Sequence, residues 1–253
     1  MHNAVFQKMN LPYLYLPFRV APRELASFLK KVRLWKLKGL NVTIPHKEAV
    51  LRCLDRISPE ARAIGAVNTI VLKNGKLIGY NTDAGGYLRS LKEEAGFDPR
   101  GKTVLILGAG GAARAVFHAL KRAGAKKIIL SNRTLSRAAN LARDVIPLKT
   151  QELKKVFPSL DLLINATSIG LKGTRFKNLP LSLLPKKAVV SDLVYRPILT
   201  PLLREAKKRG LKIHPGIGML LYQGAESFRL WTGRTPDLKA MKKALLDALK
   251  RNR

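Results

Sequence analysis

From Gly101 onward the chain repeats one rhythm: a short apolar run, a turn, then a stretch with apolar residues at helical spacing. Thr103 to Leu107 (TVLIL) carries no polar side chain after its first residue. That is the pattern of a strand buried on both faces of a parallel sheet. The spacing predicts a helix from about Ala112 to Ala123, a strand from Lys127 to Asn132 and a helix from Thr134. Asp161 to Ala166, Ala188 to Leu193 and Lys212 to His214 read as later strands. Thr200-Pro201 sets an N-cap residue before a proline at the first helical position, and that helix ends near Gly210. Such alternation predicts a doubly wound α/β domain. Gly224 onward reads as helical, with Asp237 capping the last helix to about Arg251.

The first hundred residues are less regular. Tyr13 to Phe18 and Leu40 to Ile44 are short strand candidates, the second ended by Pro45. Pro22 to Lys36 has helical spacing, and Ser58-Pro59-Glu60 is a helix start. Val67 to Leu72 and Lys76 to Tyr80 flank Asn74-Gly75, a strong hairpin signal. Two domains are expected: residues 1–84 completed by the C-terminal helices of 218–253, and residues 85–217. The fold class is therefore α/β, a doubly wound domain plus a smaller α/β domain, with a cleft between them as the expected place for a ligand.

Composition narrows the function classes. Hydrophobic residues make up 46 % of the 253, enough for a substantial core. No run approaches the ~18 apolar residues of a membrane span, and Met1 to Asn10 lacks the pattern of a signal peptide. One cysteine, Cys53, excludes an intrachain disulfide and fits a cytoplasmic setting. The formal charge is +32, and residues after 100 carry 31 of the 48 basic side chains but only 8 of the 16 acids. The basic residues are scattered singly or as pairs such as Lys126-Lys127, without a nucleic-acid motif. Attraction of small anions is the simpler reading, so no nucleic-acid partner is expected.

After TVLIL comes Gly108-Ala109-Gly110-Gly111-Ala112-Ala113, opening a helix. This is the dinucleotide fingerprint G-x-G-x-x-A. One glycine permits the tight turn and the next lets backbone approach a pyrophosphate. The small last residue lets helix and strand pack closely. In a Rossmann-like domain that binds NAD, the second strand is followed by an acid for the ribose 2′-hydroxyl. Here it ends Ser131-Asn132-Arg133-Thr134, with Arg137 beyond and no acid. Guanidinium groups suit a 2′-phosphate, which predicts NADP.

Several segments together resemble the shikimate dehydrogenase family. They are Asn41-Val42-Thr43-Ile44-Pro45-His46-Lys47, Gly65-Ala66-Val67-Asn68-Thr69 and Gly79-Tyr80-Asn81-Thr82-Asp83. The glycine loop, Asn132-Arg133-Thr134, Asn165 to Gly170, Asp192 to Tyr195 and Gly216 to Ala225 complete the series, in the family's order and over nearly the whole chain. The resemblance implies reversible reduction of 3-dehydroshikimate to shikimate by NADPH, on the route to chorismate and the aromatic amino acids. It implies that Lys47 and Asp83 form the acid–base pair, without saying which carries the proton. Taken alone, they read as a surface lysine and a helix N-cap aspartate.

By the same resemblance Asn41, Thr43, Asn68, Tyr195 and Gln223 grip the substrate. Thr167, Ser168, Gly216 and Met219 line the nicotinamide, although ordinary helix packing also accounts for Met219. His46 is given no role. No metal is expected, and the assembly is a monomer or a homodimer. Family members begin with a short strand and a Ser-x-Ser-Pro turn ahead of a Met-His-Asn-like segment, whereas this chain starts at Met1-His2-Asn3. Both serines hold the substrate carboxylate in the family, and their loss is expected to weaken binding ~10²-fold or more. The expectation is a natural protein longer by about one strand and turn, which the coding DNA upstream of Met1 tests. The alternatives are a quinate/shikimate dehydrogenase using NAD, or an NADP-binding regulatory protein without turnover.

Overall fold

The computed structural model describes residues 1–251. Asn252 and Arg253, which the sequence assigns to the first domain, lie outside the described residues. The chain forms two compact units, Met1–Gly86 with Leu221–Arg253 and Tyr87–Leu220. Both divisions fall inside helices, α5 (Asp83–Ala95) and α10 (Ile217–Thr232).

The first unit holds a four-stranded sheet of β1 (Gly39–Asn41), β2 (Arg56–Ile57), β3 (Thr69–Lys73) and β4 (Lys76–Tyr80), in the order β1-β3-β4-β2. β3 and β4 pair antiparallel about Asn74 and Gly75, with φ of 51° and 73°. This two-residue turn needs positive φ at both positions, which Asn-Gly supplies. Helices α1 (His2–Lys8), α2 (Leu25–Leu34), α3 (His46–Ala49), α4 (Pro59–Ile64) and α11 (Leu238–Arg251) complete the unit. Ser58 caps α4, its Oγ accepting from the Ala61 amide at 3.2 Å. Leu29, Val32, Val50 and Ile70 are fully or almost fully buried in one core cluster. Phe6 of α1 stacks on Phe228 of α10 with ring centroids 5.2 Å apart.

Three expectations for this unit need correction. Tyr13 to Phe18 is not a strand. Pro12 and Pro17 have no N–H to give a ladder, and Asn3 occupies both backbone groups of Tyr15 (2.7 and 3.0 Å). The strand expected over Leu40 to Ile44 is assigned only over Gly39–Asn41, because the Thr43 carbonyl turns to accept from the His46 amide at 2.8 Å. α10 begins at Ile217, ahead of Gly224. Glycines at 216 and 218 flank this start, and each serves packing. A Cβ on Gly218 would strike Ser90 and Glu94, and one on Gly216 would lie 2.5 Å from the Leu193 carbonyl oxygen.

The second unit is a six-stranded, wholly parallel sheet. Its strands are β5 (Thr103–Leu107), β6 (Lys127–Asn132), β7 (Val145–Pro147), β8 (Leu162–Asn165), β10 (Val189–Asp192) and β11 (Lys212–Pro215). A short strand, β9 (Ile169–Lys172), lies between β8 and β10 in the chain. The sheet order β11-β10-β8-β5-β6-β7 is the doubly wound arrangement. Side chains of β5 alternate between two cores: Val104 and Ile106 join one cluster, Leu105 and Leu107 the other. That period of two is why TVLIL needs apolar residues on both faces. Helices α6 (Gly111–Arg122), α7 (Leu135–Ala139), α8 (Thr150–Val156) and α9 (Pro201–Lys208) complete the unit, together with its parts of α5 and α10. Among the described residues no helix is long and apolar enough to cross a membrane.

Candidate active site

In the first unit a lysine and a carboxylate meet out of bulk water. Lys47 sits on α3, and Asp83 opens α5 just after β4. Lys47 Nζ donates to Asp83 Oδ2 at 2.6 Å, with the two side chains 16 % and 5 % exposed. Asp83 is not the helix cap. That role falls to Asn81, whose Oδ1 accepts from the amides of Asp83 (3.1 Å) and Ala84 (3.3 Å). The Asp83 carboxylate is thereby available to side chains, and Asn68 Nδ2 donates to its other oxygen, Oδ1, at 2.8 Å. The Asn68 amide has one allowed orientation, because its Oδ1 accepts from the Thr82 backbone N–H at 2.8 Å. Both Asp83 oxygens therefore accept, one from Lys47 Nζ and one from Asn68 Nδ2.

Asn68 also brings Gln223 to the same group, donating to its Oε1 at 3.3 Å. This approach depends on Gly86, where a Cβ would lie 2.6 Å from the Gln223 backbone nitrogen. Asn41 ends β1 beside them, its Nδ2 3.3 Å from the Asn68 carbonyl oxygen. Thr43 is exposed on the following turn. Asn41 and Thr43 line a groove of about 880 Å³ that also runs along Tyr13 to Val20. His46, given no role by the sequence, fastens that extended segment through a 2.8 Å hydrogen bond between Nε2 and the Val20 carbonyl. Thus Lys47, Asp83, Asn68, Gln223 and Asn41 come together, and Thr43 stands at the groove. Tyr195 belongs to the second unit, 39 % exposed after β10.

In the second unit the glycine loop joins β5 to α6. Gly108 has φ of +113°, and a Cβ there would lie 2.8 Å from the Ala166 carbonyl oxygen. Gly110 is the N-cap of α6 and brings no side chain to its first turn, and a Cβ at this position would meet nothing within 4 Å. Gly111 and Ala112 open the helix, Ala109 is buried, and Ala113 is wholly buried where helix and strand pack. Uncapped backbone N–H groups over open space, at the positive end of a 12-residue helix, fit a pyrophosphate.

At the end of β6 Asn132 Nδ2 donates to the Thr134 carbonyl at 2.8 Å and shapes the turn. Arg133, Thr134 and Arg137 are exposed there. The donor set suits a phosphate on the ribose, and a carboxylate is absent from residues 131–137. Thr167 is half-buried with its hydroxyl donating to Asn165 Oδ1 at 2.7 Å, and Ser168 is exposed. Met219 is 7 % exposed within the apolar core, and Gly216 packs on Leu193. Core packing is thus one function of each.

Sequence reasoning assigned no role to Asn165, Asp192 or His214, and to Thr200 only that of a helix cap. Asn165 Nδ2 donates to Asp192 Oδ1 (2.8 Å), and Thr200 Oγ1 donates to Asp192 Oδ2 (2.6 Å). Burial pushes the Asp192 carboxyl up to about 6, against the opposing effect of Thr200, the Val194 amide and Asn165. His214 is 1 % exposed between Ser90 and Ser191 (2.7 and 2.9 Å), and burial pushes its imidazole down to about 4. The cue was a polar residue inside an apolar strand pattern. Among the described residues no cluster of three or more His, Cys, Asp or Glu could hold a metal ion.

A doubly wound sheet with a dinucleotide-type loop, and a separate unit with a buried lysine–carboxylate pair, define the class: a nicotinamide-type oxidoreductase fold. Residues 1–70 match the shikimate dehydrogenase substrate binding domain, residues 90–178 the shikimate / quinate 5-dehydrogenase family, and residues 216–246 the shikimate 5′-dehydrogenase C-terminal domain. A shikimate dehydrogenase (NADP(+)) of Geobacillus sp. (strain WCH70) is 44 % identical over 99 % of this chain and 93 % of its own length. The structure of shikimate 5-dehydrogenase from Thermus thermophilus with NADP(H) and shikimate is 42 % identical, with a TM-score of 0.87 over 98 % of this chain and 92 % of that one. Quinate dehydrogenase from Corynebacterium glutamicum with NAD is 32 % identical, with a TM-score of 0.87 over 97 % of this chain and 92 % of that one. The chain belongs to the shikimate dehydrogenase family.

Proposed function

We propose that the chain is a shikimate dehydrogenase that reduces 3-dehydroshikimate to shikimate with NADPH, and catalyses the reverse. The observation that carries the mechanism is the Lys47–Asp83 pair, closed on its far side by Asn68. Reduction of a ketone needs a hydride at carbon and a proton at oxygen. NADPH, when bound, supplies the hydride. Lys47 Nζ delivers the proton to the nascent alkoxide, and neutral Lys47 takes it back when the alcohol is oxidised. A placed acid–base group of this kind contributes ~10²–10⁴-fold. Asp83 holds Nζ in place through the 2.6 Å contact. Asn41, Thr43, Asn68 and Gln223 supply amide and hydroxyl groups for the ring hydroxyls, and Tyr195 is a further candidate.

The α6 N-terminus, with Gly108, Ala109, Gly110, Gly111 and Ala112, would hold the pyrophosphate. Asn132, Arg133, Thr134 and Arg137 would hold the 2′-phosphate, and Thr167, Ser168, Gly216 and Met219 the nicotinamide. The single cysteine and a reaction fed by NADPH support work in the cytoplasm.

The reading is tested by the initial rate of shikimate-dependent reduction of NADP and of NAD, followed by nicotinamide absorbance. Turnover with NADP well above NAD is expected. A second reading, quinate oxidation with NAD, has the Corynebacterium structure in its favour and the arginines after β6 against it. Faster turnover of quinate with NAD would replace the first reading. No turnover with either would favour a binding protein.

A further inference from the structure

We infer that Ser227 and Tyr15 are positioning residues that fix the Asn41 amide so that it offers the substrate an acceptor oxygen. This rests on the function proposed above. Ser227 lies on α10 and is fully buried. Its Oγ accepts from Asn41 Nδ2 at 3.0 Å and stands 2.8 Å from Thr69 Oγ1 and 3.2 Å from Thr82 Oγ1. Its own proton goes to the Gln223 carbonyl, one turn back, at 3.0 Å. Asn41 Nδ2 can only donate, so the Ser227 oxygen accepts from it.

The Asn41 amide has no second orientation. Its Nδ2 also faces the Asn68 carbonyl oxygen at 3.3 Å and Thr69 Oγ1 at 3.2 Å, and a carbonyl can only accept. At the other end the Tyr15 hydroxyl donates to Asn41 Oδ1 at 3.0 Å. Burial pushes the Tyr15 phenol up, which keeps it a donor at neutral pH. Both Asn41 N–H groups are thus turned into the hydroxyl cluster, and one lone pair of Oδ1 is taken. The remaining lone pair is what Asn41 can offer, and Asn41 lines the groove. The chemistry this selects is a ring hydroxyl that donates.

The same cluster reaches the catalytic pair. Thr69 Oγ1 donates to Asn68 Oδ1 at 3.1 Å, and Asn68 holds Asp83. Loss of the Ser227 hydroxyl would be felt first at Asn41, in direct contact, and only through two intermediates at Asp83.

The test is steady-state kinetics of shikimate oxidation by the full chain and by Ser227→Ala, Ser227→Thr, Tyr15→Phe and the Ser227→Ala/Tyr15→Phe double variant. Each of Ser227→Ala and Tyr15→Phe is expected to raise KM for shikimate about tenfold, the size of one hydrogen bond. kcat and KM for NADP should stay within about twofold, and Ser227→Thr should stay near wild type because it keeps the hydroxyl. The double variant should sit well below the ~10²-fold product, since both act through Asn41. Normal wild-type turnover with an unchanged shikimate KM in Ser227→Ala would overturn this proposal alone. So would multiplicative effects in the double variant, or an equal rise in KM for NADP. A wild-type chain without shikimate turnover would overturn the functional reading, and this proposal with it. If Ser227→Ala does not fold, Tyr15→Phe and Ser227→Thr still decide the matter by the same KM criterion.

Discussion

The two units solve opposite problems in recognition. In the first unit, the proposed chemistry rests on side chains saturated with partners. Asn68 alone meets Thr82, Asp83 and Gln223, and almost no atom of that group is open to choice. In the second, the dinucleotide loop offers backbone N–H groups and open space, with exposed arginines nearby. A saturated cluster fixes one geometry, so removal of one member leaves buried groups unpaired. A backbone cradle depends on conformation and is insensitive to most side chains. Single substitutions should therefore be severe and specific in the first unit, graded and separable in the second.

The sharpest break should come at Asp83. Asp83→Asn would turn an amide toward Lys47 and is expected to lower kcat roughly 10²-fold or more, with KM for NADP little changed. Single-turnover rates would check this, and a loss under threefold would contradict the pair's role. Next in size is cofactor choice. Arg133→Ala with Arg137→Ala should raise KM for NADP about 10²-fold, because charge-assisted bonds to a phosphate are lost. KM for NAD should barely move, and parallel losses for both cofactors would point to a damaged fold.

Gly108→Ala tests the loop's conformation. A side chain at φ of +113°, 2.8 Å from a carbonyl oxygen, should lower Tm by roughly 5 °C and weaken both cofactors alike. Thermal scans and NADP titration would show it.

The smallest effect is one of pH. Asp192 has a folded pKa of about 6, above its unfolded value near 3.8, so the folded state binds this proton more tightly. Its stability contribution is complete below about pH 3.8 and is lost as pH rises through 6. His214, pushed down to about 4, acts in the opposite sense, losing stability as pH falls from 6.5 through 4. A difference measurement separates the two. Tm of Asp192→Asn minus wild type should increase between pH 4 and pH 7, whereas a flat difference would mean that Asp192 ionises freely.

Much of the second unit was legible in sequence because its rules are local. TVLIL, the glycine loop and Thr200-Pro201 each declare their structure within a few residues. The Asn74-Gly75 hairpin of the first unit did so as well. The hydroxyl cluster could not be read this way. Tyr15, Asn41, Thr69 and Ser227 lie up to 212 positions apart and share no periodic pattern. Tyr13 to Phe18 has the composition of a strand, but two prolines and the Asn3 side chain take it out of a sheet. In both cases at least one deciding partner lay outside the segment itself.

The proposed division of labour between a saturated proton-transfer cluster and a backbone-built cofactor cradle meets its most direct test in one variant, Lys47→Ala. NADP binding by calorimetry and shikimate-dependent NADP reduction would be measured on the same preparation. The expected result is a Kd for NADP within about twofold of wild type and a rate lower by ~10²–10⁴-fold. A rate within tenfold of wild type, or a loss of NADP binding that matches the loss of rate, would contradict the account.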